Sequence, residues 1–204
     1  MTITINDVCR RFRRSLLLCG LAVLFVAVSL QGPLTAAAPG QVAVVRPDPQ
    51  TAIVSVGGQV VVNLYIQDVQ NLYGADIRFS YDPAVLEVQD ANPAASGVQI
   101  QPLNTFLKPD FVVRNTACNV VDPACPIAGI IRYAVTQVNP STPASGSGAL
   151  AAVTFKRLTS EVTTLKVITH DLSDRNGVTI PSTTQDGRVD LAVMRKLYLP
   201  LIVR

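Results

Sequence analysis

The sequence predicts an all-β domain of the β-sandwich class, and three observations carry that prediction. Apolar and polar residues alternate with a period of two along the middle of the chain. Turn chemistry built from Gly, Pro, Asn and Asp interrupts the alternation every ten or so residues. No stretch holds a sustained 3.6-residue apolar repeat. Many short strands between frequent turns are the pattern of a sandwich.

The chain opens on a segment of another kind. "RRFRR" (Arg10 to Arg14) is a basic run, "SLLLCGLAVLFVAVSL" (Ser15 to Leu30) is apolar, and "TAAAPG" (Thr35 to Gly40) supplies small residues. This is the layout of an export signal over 1–37, with cleavage after Ala36 or Ala37. Left uncleaved, the apolar run is about long enough to serve as a membrane anchor. Leu18 ahead of Cys19 does not fit a lipoprotein signal. Four of the 17 Lys and Arg and one of the 14 Asp and Glu lie in this segment, so 13 of each remain. The remainder is neutral and has no basic stripe, which argues against a nucleic-acid partner.

The span 38–193 is one domain of ordinary size. In "VVVNLYIQDV" (Val60 to Val69), Val60, Val62, Leu64 and Ile66 share one face. In "ADIRFS", Ala75, Ile77 and Phe79 point inward, and Asp76, Arg78 and Ser80 outward. In "IIRYAVTQ", Ile131, Tyr133 and Val135 point inward, and Arg132, Ala134 and Thr136 outward. "ALAAVTFKRL" and "TTLKVITHDL" alternate in the same way. The connectors are turn-like: Asp82-Pro83 caps and presets a turn, and Asn176-Gly177 and Asp186-Gly187 suit tight turns with positive φ. The Pro, Ser and Gly stretch 139–148 reads as a loop. The last residues, 194–204, carry "KLYLPLIVR", an apolar tail too short to span a bilayer. An edge strand, a sorting tag or a loose end all fit it, with Pro200 confining any strand to an edge.

Cys118 and Cys125 are the two cysteines left once Cys9 and Cys19 depart with the signal. Two close cysteines in an exported chain predict a disulfide. Half of a zinc site is the alternative, but it needs two further ligands, and the single histidine is His170.

In order along the chain, several blocks resemble a cohesin domain. "VGGQVVVNLYIQDVQNLYGADIRFSYDPAVLEVQD" is similar to the family's first half. "GIIRYAVTQV", "GSGALAAVTFKRL" and "DLSDRNGVTIPSTTQDGRVDL" are similar to later strands and the closing hairpin. The resemblance covers roughly Gln41 to Val193. It implies a jelly-roll β-sandwich of about nine strands that is not an enzyme and needs no cofactor. It also implies docking of a dockerin-type protein module through one sheet face, in polysaccharide breakdown or cell-surface assembly. By the same resemblance Asp76 falls on that face with Arg78, and the "IIRYAV" strand adds Arg132, Ala134, Thr136 and Gln137. The chain departs from the family pattern at Gly74, where dockerin-binding members often carry Asn, and in its cysteine insertion.

The residues by themselves leave Asp76 and Arg78 open to a plainer reading, a solvated pair of opposite charges worth little. Catalysis finds no support. Glycoside hydrolysis needs two carboxylates facing across a cleft, and the glutamates are Glu87, inside a strand pattern, and Glu161. A Ser-His-Asp triad would need His170 and a serine that no nucleophile elbow marks. Asp171, Asp174 and Asn176 offer oxygens at near-regular spacing, but the distal bidentate glutamate of a calcium loop is missing, so the Asn-Gly hairpin accounts for them and no metal is assigned. Direct polysaccharide binding, as in a carbohydrate-binding module, is the main rival function. It is weakened by the absence of Trp and by only five Tyr. An adhesion or structural surface domain is a third reading. The expectation is a secreted or cell-surface monomer, touching membrane only through an uncleaved signal.

Overall fold

A computed structural model describes residues 42–192. The expected signal segment, 1–37, and the apolar tail, 194–204, lie outside the described residues. The described chain is all β, with twelve strands where about nine were expected. They are β1 (Ala43–Asp48), β2 (Thr51–Val54), β3 (Gln59–Leu72), β4 (Gly74–Ser80), β5 (Leu86–Val88), β6 (Gln101–Pro102), β7 (Phe111–Cys118), β8 (Ile130–Thr136), β9 (Ala144–Arg157), β10 (Thr163–Ser173), β11 (Ser182–Thr184) and β12 (Gly187–Leu191). The surplus comes from short pieces. The first passage of chain breaks at Pro49 and Gln50, between β1 and β2, so that β1 joins one sheet and β2 the other.

The strands form two six-stranded sheets. The first runs β11-β1-β3-β9-β5, with β6 also paired to β9; the second runs β2-β12-β10-β4-β8-β7. The inward residues of both sheets make one apolar core that includes Leu64, Ile66, Ile77, Phe79, Tyr133 and Phe155. The faces assigned from alternation hold: Val62, Leu64 and Ile66 are buried on β3, as are Ala75, Ile77 and Phe79 on β4. Alternation fixes these faces because successive side chains leave a strand on opposite sides. Tyr81 stacks edge-on to Phe155 at 5.4 Å between ring centres, tying the exit of β4 to β9.

The stretch 139–148 is not wholly a loop, because β9 begins at Ala144. Its serines and glycines answer irregularities in β3. Asp68 and Asn71 adopt positive φ, 58° and 57°, and shift the register there. Their backbone N–H groups donate to Ser147 Oγ (2.8 Å) and Ser145 Oγ (2.9 Å). Gly148 is needed because a Cβ there would lie 2.4 Å from the Phe106 ring. Among the described residues one charged side chain, Arg157, is fully buried. The Arg157 side chain on β9 donates to the carbonyls of Thr159, Glu161 and Val189, linking the first sheet to β12 of the second. Each of its three guanidinium nitrogens thereby donates to a carbonyl.

A candidate docking face on the second sheet

Four strands of the second sheet, β10-β4-β8-β7, present a continuous outer face, and their registers lay out its rows. One row is Ser173, Gly74, Thr136 and Phe111. The next is Asp171, Asp76, Ala134 and Arg114. A third is Thr169, Arg78, Arg132 and Thr116. The fourth is Lys166, Ser80, Ile130 and Cys118. Asp76, Arg78, Arg132 and Thr136, assigned from sequence, thus sit together on adjoining strands.

Within this grid Arg132 lies directly opposite Arg78, an unfavourable placement of like charges. Arg132 turns diagonally instead and grips Asp76 with both arms of its guanidinium: Nε donates to Oδ1 at 3.0 Å and Nη2 donates to Oδ2. The fork-to-fork geometry makes this the better kind of surface ion pair. Donating to the Asp76 carboxylate raises the Arg132 pKa further above its already high value. About a third of each side chain stays exposed, 32% for Asp76 and 35% for Arg132. Arg78 and Arg114 have no carboxylate partner among the described residues.

Two residues assigned to the face are not available on it. Ala134 points outward but is only 5% exposed, because its short methyl lies between the longer Asp76 and Arg114. Gln137 is 5% exposed as well: the alternation ends at Thr136, and the Gln137 N–H turns to donate to the Tyr73 carbonyl at 2.8 Å. Thr136 remains on the face, its hydroxyl donating to the Gln137 carbonyl at 3.1 Å. Gly74 also has a local reason. A Cβ there would sit 2.8 Å from Ser173 Oγ in the neighbouring strand.

The cysteines pair as expected. Cys118, at the end of β7, and Cys125 are joined, with Cα atoms 5.5 Å apart. The enclosed loop is pinned from within. Asn119 Oδ1 accepts from the Tyr81 hydroxyl and the Val88 N–H, and Asp122 Oδ1 accepts from the N–H groups of Ala124 and Cys125. Beyond it, Gly129 donates to the Cys118 carbonyl and returns the chain to β8. The loop stands against the sheet and closes one side of a depression of about 340 Å³. Arg78, Arg114 and Arg132 line it, along with Thr116, Ile130, Ile168 and the loop's Ala124, Pro126 and Ile127. Ile168 reaches it because a bulge between Val167 and Thr169 inserts one extra residue in β10. Sequence reading missed Arg114, Phe111, Ile127 and Ile168. Three of them are large apolar side chains that the structure leaves exposed, 58% for Phe111, 64% for Ile127 and 50% for Ile168, and local sequence pattern does not report exposure.

The family model described as "Cohesin domain" matches residues 45–191. The chain belongs to the cohesin family. A search of curated proteins gave no match. Among solved structures, a non-cellulosomal cohesin from the hyperthermophilic archaeon Archaeoglobus fulgidus is 17% identical. The alignment covers 75% of this chain and 93% of that one, with a TM-score of 0.56. A type II cohesin from the cellulosome of Acetivibrio cellulolyticus is 21% identical, covering 74% and 96%, with a TM-score of 0.55. A chain from a type I cohesin–dockerin complex of Clostridium thermocellum is 11% identical, covering 74% and 100%, with a TM-score of 0.56. At these identities the likeness concerns the fold. Cohesin membership makes the chain a module of a family that works by protein–protein interaction and matches the β-sandwich described above.

Other candidate chemistry resolves into local structure. His170 Nδ1 lies 2.7 Å from Ser182 Oγ, so the serine beside the histidine is Ser182. Among the described residues no carboxylate bonds to this His–Ser pair. Asp174 Oδ1 accepts from the N–H groups of Asn176 and Val178, and Gly177 has φ of 77°, which is the tight turn the Asn-Gly pair predicts.

Proposed function

We propose that this cohesin is an exported, non-catalytic module that docks a dockerin-type protein through the β10-β4-β8-β7 face. The observation that supports it most is the composition of that face. Asp76, Arg78, Arg132 and Arg114 are presented beside the exposed Phe111, on rigid paired strands. Arginine and aromatic side chains around a fixed frame are what protein interfaces favour. Export is supported by the signal-like segment and by the disulfide. The assembly served, in polysaccharide breakdown or on the cell surface, belongs to the same proposal.

Direct glycan binding is the weaker reading. Sugar platforms use open aromatic faces, and two of the tyrosines are engaged. The Arg46 guanidinium lies 4.6 Å from the Tyr65 ring centre, and that of Arg175 lies 5.1 Å from Tyr73. The decisive experiment is capture of secreted proteins from the producing organism on the immobilised chain, followed by calorimetry with the captured dockerin. Asp76→Ala with Arg132→Ala should weaken that complex at least tenfold and leave the melting temperature within a few degrees. Unchanged affinity would move the docking surface elsewhere. Retention on insoluble cellulose or chitin without any protein partner would favour the glycan reading.

A further inference from the structure

The depression under the disulfide loop has a chemistry that the docking face as a whole does not explain. Three guanidinium groups, from Arg78, Arg114 and Arg132, line it, and no carboxylate does. Arg132 is satisfied by Asp76 outside the lining. Arg78 and Arg114 are bonded to no carboxylate among the described residues. Two positively charged groups held in one concavity repel each other, and a fold gains nothing from that arrangement by itself. The opposite walls are apolar: Ile127 and Pro126 on the loop, and Ile168 at the bulge of β10.

Resting on the docking proposal, we infer that this depression is a recognition pocket for a single acidic side chain of the protein partner, a glutamate or aspartate set between apolar neighbours. A carboxylate entering it meets Arg78 and Arg114, whose planar donors match its two oxygens. The apolar neighbours of that carboxylate cover Ile127 and Ile168, which otherwise stand exposed in water. Inorganic phosphate or a free carboxylate would answer the charge and leave the isoleucines bare. A neutral apolar segment would cover the isoleucines and leave the guanidinium groups desolvated and unpaired, which is costly. Only an acidic and apolar segment satisfies both. The Cys118–Cys125 link holds the loop wall that carries Pro126 and Ile127 in place, so the pocket belongs to the oxidised protein.

The test uses the full chain with its disulfide intact and two capped pentapeptides, one with glutamate between two leucines and one with glutamine in its place. Titration is followed by calorimetry and by the Nε–H resonances of arginine in nitrogen-15 spectra. The glutamate peptide should shift the Arg78 and Arg114 signals saturably and bind at least tenfold more tightly than the glutamine peptide. Arg78→Gln with Arg114→Gln should erase that preference without moving the melting temperature. Equal binding of the two peptides overturns the inference. So do identical shifts from sodium acetate at the same concentration, which would mean a generic anion site. A concentration-dependent dimer abolished by the double variant would also overturn it, since the occupant would then be a second copy of this chain. Asp76 and Arg132 are untouched in these variants. Capture of a dockerin without glutamate preference therefore defeats the pocket alone. Glutamate preference without any dockerin defeats the docking proposal and leaves the pocket standing.

Discussion

Replacing Gly129 by alanine probes how the disulfide loop is fastened to the sandwich. Gly129 has φ of +76°, and a Cβ there would lie 2.3 Å from the Tyr81 carbonyl oxygen and 2.9 Å from Pro83 Cδ. Both obstacles are fixed: one is backbone, and the other belongs to a ring. The positive φ alone costs a residue with a Cβ about 1–2 kcal/mol. Relieving the overlap requires moving the backbone, in the range of about 1–3 kcal/mol for overpacking. The expected loss is therefore about 2–5 kcal/mol, a large part of the roughly 5–15 kcal/mol that holds a domain folded. Gly177→Ala is the control, because Gly177 has nearly the same φ, +77°, with nothing within 4 Å of the added Cβ. It should lose only the conformational share, about 1–2 kcal/mol. Urea unfolding followed by far-ultraviolet circular dichroism measures both. If the two variants lose equal stability, Gly129 is not sterically locked and the loop is free to shift away from Tyr81. The same shift would displace Cys118, whose carbonyl accepts the Gly129 N–H, and with it the wall of the pocket.

Three further expectations are independent of that one. Phe79→Ala, at a position 3% exposed between the sheets, should cost about 3–5 kcal/mol in urea unfolding as a core cavity; a loss under about 1 kcal/mol would mean the core collapses around it. Serine at both Cys118 and Cys125, seven positions apart, removes a short closed loop worth about 2.5 kcal/mol on the chain-entropy model, leaving β-sheet circular dichroism unchanged; loss of the sheet signal would show that the fold depends on the bridge. Asp110 is hydrogen-bonded by Lys108, by Ser141 and by the Val138 N–H, which together hold its carboxyl down at about 2. Its unfolded value is near 3.9, so its contribution is complete above about pH 4 and fades as pH falls toward 2. Asp110→Asn should flatten the pH dependence of unfolding in that window, and an unaltered acid limb would contradict this.

Strand faces were legible in the sequence, because alternation with period two is a property of each strand alone. That is why the sequence alone puts Ile77 and Phe79 inside and Asp76 and Arg78 outside. The disulfide was legible for a similar reason, since two cysteines seven apart need only a local loop to meet. The order of the cohesin-like blocks was legible too, and with it the sandwich. Tertiary structure decided what depends on register between strands distant in sequence. Only the alignment of β4 with β8 sets Arg132 against Arg78 and sends it to Asp76. Only neighbouring strands bury Ala134, and only the end of β8 turns Gln137 away. Arg157 is buried at the end of β9, and two carbonyls of the connector that follows it with one from β12 make that burial tolerable. The pocket lies furthest from sequence. Its arginines come from β4, β7 and β8, its apolar wall from a bulge in β10 and a loop after β7, and no local pattern records that these five segments meet. A sequence specifies which side of its own strand each residue occupies, whereas a site is made by the strands that pairing and packing bring alongside.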